Sequence, residues 1–141
     1  MADANIEIVS RAFEAIGNRD IEALLRLYEP SAEFRPLTGT LVESGGYWGH
    51  EGIRAYFEEV DTVWDQMLPH ADNMQSNGDL VIVIGGCIVR GRESGAETDN
   101  AMAWVFRVRD GRIASHQAFS EAEEALSAAG LESEERLTES S

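Results

Sequence analysis

Ile6, Val9, Phe13 and Ile16 recur at the spacing of a helix that buries one face, with Asp3 or Asn5 available as its cap. The run "GNRD" breaks the pattern. Asp20 can cap a second helix carrying Ile21, Leu24, Leu25 and Tyr28, which "EPS" ends. A short strand, "AEFRP", follows, and then a loop rich in glycine and threonine through "GGYWG". A third helix starting near His50 puts Ile53, Phe57, Val60 and Trp64 on one stripe, with Tyr56 and Val63 beside it. From Pro69 onward the period changes to two. Strands are expected at about 70–77, 79–92, 96–109 and 112–120, joined by the hairpin-type turns "NGD", "ESG" and "RDG". "EAEEALSAAG" reads as a last short helix. The pattern predicts one domain over residues 1–130, and a polar, acidic tail over 131–141 that should be disordered.

Helices first and a meander of strands after them indicate an α+β layer fold. "IGGC" places two glycines inside one strand, the mark of a bulge or sharp bend. The expected architecture is a cone-shaped roll. Three N-terminal helices pack on a strongly curved, mixed or antiparallel sheet, and the cone encloses a pocket.

Composition narrows the function classes. The chain has 141 residues, 43% apolar and 26% charged, ordinary for a globular domain. A formal net charge of −15 argues against nucleic acid and anionic membrane surfaces, which need clustered lysine and arginine. No run approaches the roughly 18 apolar residues of a membrane span. "MADANIEIVS" lacks the basic and apolar regions of a signal peptide, and Cys87 is the only cysteine, so a reducing, cytoplasmic setting is expected. Cys87 lies in an apolar strand pattern without a basic neighbour in sequence and reads as an inert buried thiol.

Three segments carry a family resemblance. "RDIEALLRLYEPSAEFRP", "GHEGIRAYF" and "VFRVRDGRIASHQAF" resemble the SnoaL-like and ketosteroid-isomerase-like branch of the nuclear-transport-factor-2-like superfamily over about residues 5–130. "GRESGAETD", "RDGRI" and "EALSAAGL" are similar to SnoaL-like proteins of unassigned role. The resemblance implies the cone fold but leaves the chemistry open, because the family spans isomerases, cyclases, epoxide hydrolases, dehydratases and proteins with no known reaction. Its steroid isomerases use an aspartate base with a tyrosine and a protonated aspartic acid as oxyanion donors. Aligned on these motifs, the three positions hold Ala12 for the tyrosine, Arg35 for the base and Trp104 for the acid. Steroid isomerisation is therefore not expected. The arginine flanked by carboxylates of the epoxide hydrolases is not evident on the strand 98–108 either.

Strand parity proposes a pocket wall, since alternate residues face opposite sides of a sheet. With Trp104 inward, so are Thr98, Asn100, Met102, Phe106 and Val108. His116, Ala118 and Ser120 follow, with Ile82 and Ile84 from the preceding strand. Glu33 and Arg35 share one face of their strand. Tyr47 and Trp48, together with Tyr56, Phe57, Val60 and Trp64 of the third helix, complete a wall suited to a small, largely apolar ligand. Asp99 and Glu97 fall outside it, and Glu58, Glu59 and Asp61 read as a solvated surface.

Each candidate keeps two readings. His116 can be a general acid or base, its ordinary pKa near 6.5 suiting proton transfer, or a wall residue hydrogen-bonded to a neighbour. Arg35 with Glu33 can clamp an anionic ligand group or be an ion pair satisfying two half-buried charges. Trp48, Tyr56 and Trp64 can stack on a ring or be core. His50, His70 and His116 form no close-spaced ligand pair, and there is no glycine-rich phosphate cradle or Gly-x-Ser-x-Gly elbow; no metal or cofactor is expected. "LVIVIG" is apolar on both faces and Ala101, Ala103 and Val105 lie away from the pocket, which predicts a homodimer through the convex sheet. An enzyme using His116 and Arg35, a non-catalytic carrier or sensor, and a structural dimer with a vestigial pocket all remain open.

Overall fold

The Ile6–Val9–Phe13–Ile16 stripe lies on helix α1 (Asp3–Gly17) in the computed structural model, which describes residues 3–37 and 46–130. Asn5 sits within that helix and not at its cap. Asp20 caps α2 (Ile21–Arg26), its carboxylate accepting the Ala23 N–H at 3.2 Å. The second helix is shorter than the pattern predicts. Tyr28 is not on it but opens strand β1 (Tyr28–Arg35), which runs straight through "EPS". Pro30 is tolerated there because the ladder register shifts between Tyr28 and Glu33.

Residues 38–45 of the glycine- and threonine-rich loop, and the acidic tail 131–141, lie outside the described residues. Strand β2 (Tyr47–Trp48) leads directly into α3 (Gly49–Val63). Trp64, expected on the helix, takes an extended backbone instead and begins β3 (Trp64–Asn77). Strands β4 (Leu80–Gly91), β5 (Glu97–Arg109) and β6 (Arg112–Phe119) follow, and α4 (Ala122–Ala128) comes last.

The result is four helices on an open, six-stranded sheet in the order β2-β1-β6-β5-β4-β3. Only β1 and β6 pair in parallel; the other neighbours are antiparallel, so the sheet is mixed. Its bend is visible at "IGGC". A Cβ on Gly85 would stand 2.0 Å from the His70 carbonyl oxygen, and β3 is bulged between Ala71 and Asn73 opposite it. Only glycine lets the strands approach that closely.

The two faces of the sheet are covered differently. Val9 and Phe13 of α1, Ile53 and Phe57 of α3, and Val83, Trp104 and Phe106 of the sheet belong to one apolar core. On the opposite face, Leu126 and Ala129 pack on Ile82, with Leu80, Ile84 and Val105 around them. The apolar outer face that suggests a second copy is thus covered in part by the chain's own α4. Among the described residues no helix is long and apolar enough to cross a membrane.

Candidate functional site

A cavity of about 300 Å³ lies between α1, α3 and the concave face of the sheet. Phe13 and Ile16 line it from α1, Tyr56 and Phe57 from α3, and Phe34 with Pro36 and Leu37 from β1 and the residues after it. Trp64, Met67 and Pro69 come from β3, Cys87 and Val89 from β4, Asn100, Met102 and Trp104 from β5, and His116, Ala118 and Ser120 from β6 and its end. No charged side chain is among these described lining residues. Trp64 and Trp104 stand at the wall and leave the hollow open, where a vestigial pocket would be filled.

Register explains which expected residues reach the cavity. Val83 pairs with Trp104 and Cys87 with Asn100, so the odd residues of β4 share the inward face. Ile82 and Ile84 pair with Val105 and Ala103 and face the other way, under α4. Their placement in the pocket is corrected accordingly, and Cys87 and Val89 take that place. A continuous apolar run such as "LVIVIG" carries no alternation from which to read parity.

The same correction applies to β1. Phe34 is buried and points in, while Glu33 and Arg35 form an ion pair on the outer face, bordering a groove with Arg107 and Gln117. They cannot serve a ligand in the cavity. The alignment that sets Arg35 in a base's position is off by one residue in facing, and the inward side chain there is a phenylalanine. The alternation Ala32, Phe34, Pro36 against Glu33, Arg35 is the signal that finds it.

Three further expected residues stand behind the wall or outside it. Tyr47 is buried among Phe34 and Tyr56, and its hydroxyl donates to Glu59 at 2.9 Å. Val60 is core. Trp48 pairs with Glu33 on the outer face and is 59% exposed.

His116 is buried, 4% exposed. Strands β1, β6 and β5 align Phe34, His116 and Phe106 across the sheet, which sets the imidazole between two rings at centroid distances of 4.4 and 4.5 Å. Its Nδ1 lies 2.6 Å from the Tyr28 hydroxyl. His50 Nε2, hydrogen-bonded to the Tyr28 carbonyl at 3.0 Å, steadies the start of that strand.

This geometry decides the tautomer. Tyr28 is 1% exposed, and His116 Nδ1 is the only hydrogen-bond partner of its hydroxyl among the described residues. If Nδ1 carried the proton, the phenol hydrogen would be stranded, and a buried unpaired donor costs about 1–3 kcal/mol. The hydroxyl therefore donates to Nδ1, and the ring proton sits on Nε2. Burial pushes the His116 pKa down to about 3, so the ring is neutral at physiological pH, and burial likewise raises Tyr28 above its ordinary value. The end of His116 opposite Tyr28 is a neutral N–H donor.

Other titratable groups contribute less. Burial, then the charge of Asp99, raises the Cys87 thiol to about 11, so it stays protonated. His70 hydrogen-bonds Asp99 at 2.9 Å, reaching across β4 above Gly86, and that bond raises its pKa. Among the described residues no group of three or more His, Cys, Asp or Glu could hold a metal ion. Asn100 and Ser120, both exposed, are polar groups at the cavity mouth.

A family model described as a SnoaL-like domain matches residues 9–116. No curated protein matches the chain. Among solved structures, an NTF2-like protein of unknown function from Burkholderia pseudomallei is 22% identical with a TM-score of 0.73, covering 88% of this chain and 95% of its own. TerC, co-crystallised with polyporic acid, is 24% identical with a TM-score of 0.73, covering 91% and 97%. Rv0760c from Mycobacterium tuberculosis, in complex with estradiol-17beta-hemisuccinate, is 14% identical with a TM-score of 0.71, covering 84% and 94%. At these identities the likeness is one of fold.

Proposed function

The chain belongs to the SnoaL-like domain family, and from that premise we propose that it binds one small, neutral, largely apolar molecule between α1, α3 and the concave sheet. The observation that carries this reading is the open cavity of about 300 Å³ whose described wall is mostly aromatic and aliphatic, with the buried His116 imidazole among its few polar groups. Two structural neighbours crystallised with small molecules support it.

Binding is favoured over proton transfer. A ring with a pKa near 3 is a weak base at neutral pH, and no carboxylate lines the described cavity to serve in its place. Steroid-isomerase chemistry has no support for the same reason. We extend the proposal to a homodimer through the part of the convex sheet that α4 leaves uncovered.

The test uses N-phenyl-1-naphthylamine, a neutral dye whose emission rises in apolar surroundings. One saturable site per chain is expected. Ala118 lies in register with Trp104 on the cavity wall, so Ala118→Leu grows into the void. It should weaken dye binding about tenfold or more while the melting temperature holds. Dye emission that never saturates, or that ignores the added side chain, removes the reading.

A further inference from the structure

Resting on the pocket reading, the geometry points to a ligand that carries a carbonyl oxygen and seats it on the Nε2–H of His116. Four observations lead there. The Tyr28 hydroxyl, 2.6 Å from Nδ1, holds the proton on the opposite nitrogen. Phe34 and Phe106 flank the ring, so it cannot turn over without losing the tyrosine. Every fully buried side-chain nitrogen or oxygen among the described residues has a partner, whereas Nε2 meets none of them; it is therefore unsealed, on a residue that touches the outer groove but whose register with Phe34 and Phe106 sets its ring on the concave side. Finally, no charged side chain and no acid lines the described cavity, so no carboxylate there competes with a ligand for that N–H.

A buried N–H with no carboxylate on the surrounding wall selects by chemistry. A hydrocarbon leaves the N–H unpaired on binding. A carboxylate meets no Lys or Arg on the described wall, and the chain's net charge of −15 disfavours it further. An alcohol can accept the bond but brings a hydroxyl hydrogen of its own, and Asn100 and Ser120, which could receive it, stand at the exposed mouth. A ketone, ester or quinone oxygen accepts and asks for nothing further. A site built to hydrogen-bond one group discriminates against analogues that lack it, because its own buried partner is left unpaired.

The experiment compares 2-acetylnaphthalene, 2-ethylnaphthalene and 1-(2-naphthyl)ethanol by titration calorimetry on the full chain, and reads the His116 tautomer by long-range ¹⁵N–¹H correlation. The ketone should bind about tenfold or more tighter than the ethyl compound, with the alcohol between them. The imidazole should show its proton on Nε2 before any ligand is added. In His116→Phe the ketone's advantage over 2-ethylnaphthalene should vanish. Equal binding of ketone and ethyl compound overturns the carbonyl assignment and leaves the pocket reading standing. A proton found on Nδ1, or a ketone preference that survives His116→Phe, also overturns it alone. If none of the three compounds binds, the pocket reading falls and this inference with it. The tautomer measurement needs no ligand and no variant, so a failure of His116→Phe to fold does not shield the claim.

Discussion

At the residue scale, the buried imidazole makes stability depend on acidity in a definite direction. In the unfolded chain His116 takes a proton near pH 6.5, whereas in the folded chain burial holds its pKa down to about 3. Between those values the unfolded state binds the extra proton. The stabilisation from His116 is thus fully present above about 6.5 and is lost as pH falls toward 3, at about 1.4 kcal/mol per pH unit. Relief of self-repulsion in a chain of net charge −15 works the other way as carboxylates are neutralised. The readout is therefore a difference: urea unfolding at pH 7, 6 and 5, wild type against His116→Gln, should show the wild type falling more steeply by close to one proton. Parallel pH profiles would sink the claim that the ring is buried neutral. The alternation in "RIASHQAFSE" makes the inward aim of His116 legible from sequence alone. Its partner was not legible, because Tyr28 is 88 positions away and its helical spacing with Leu24 and Leu25 masks a strand residue.

At the scale of elements, the glycines of β4 give the clearest prediction. Gly85→Ala would drive a methyl against the His70 backbone, at 2.0 Å in the present geometry, so β3 must move or the pairing must open. Forced overpacking of this kind costs about 1–3 kcal/mol. Differential scanning calorimetry should show a clearly lowered melting temperature, and an unchanged one would mean that the β3–β4 bulge relaxes freely. Element types and order were largely legible, since the helical period gives way to a two-residue one after the third helix, although the change reads at Pro69 and the strand begins at Trp64. What escaped was phase. In β1 the polar pair Glu33 and Arg35 drew attention to the wrong face, although the apolar alternation of Ala32, Phe34 and Pro36 was there to read. In β4 no alternation exists, and only its pairing with Trp104 decides which side is inward. Phe34, Cys87 and Val89 of the pocket wall follow from those two phases.

At the scale of the molecule, the question is what covers the outside of the sheet. The expectation of a homodimer rests on apolar residues on both faces, and α4 removes part of its basis by packing Leu126 and Ala129 over Ile82. What it leaves is a strip where Ile88 and Phe119 are half-buried on the same face. Aliphatic side chains grouped on a sheet face gain from being covered at about 25 cal/mol per Å². A chain of net charge −15 that meets its own copy must limit like-charge repulsion at the seam, and on this strip Asp99, in register with Ile88, is hydrogen-bonded by His70. Light scattering on a size-exclusion column should give twice the mass of one chain. Ile88→Lys, which puts one charge of each copy into the strip, should halve that mass and leave dye binding in the cavity intact, because Ile88 faces away from it. A wild-type mass equal to one chain at every concentration would show that α4 alone completes the outer face, and the cavity would then have to work within a monomer.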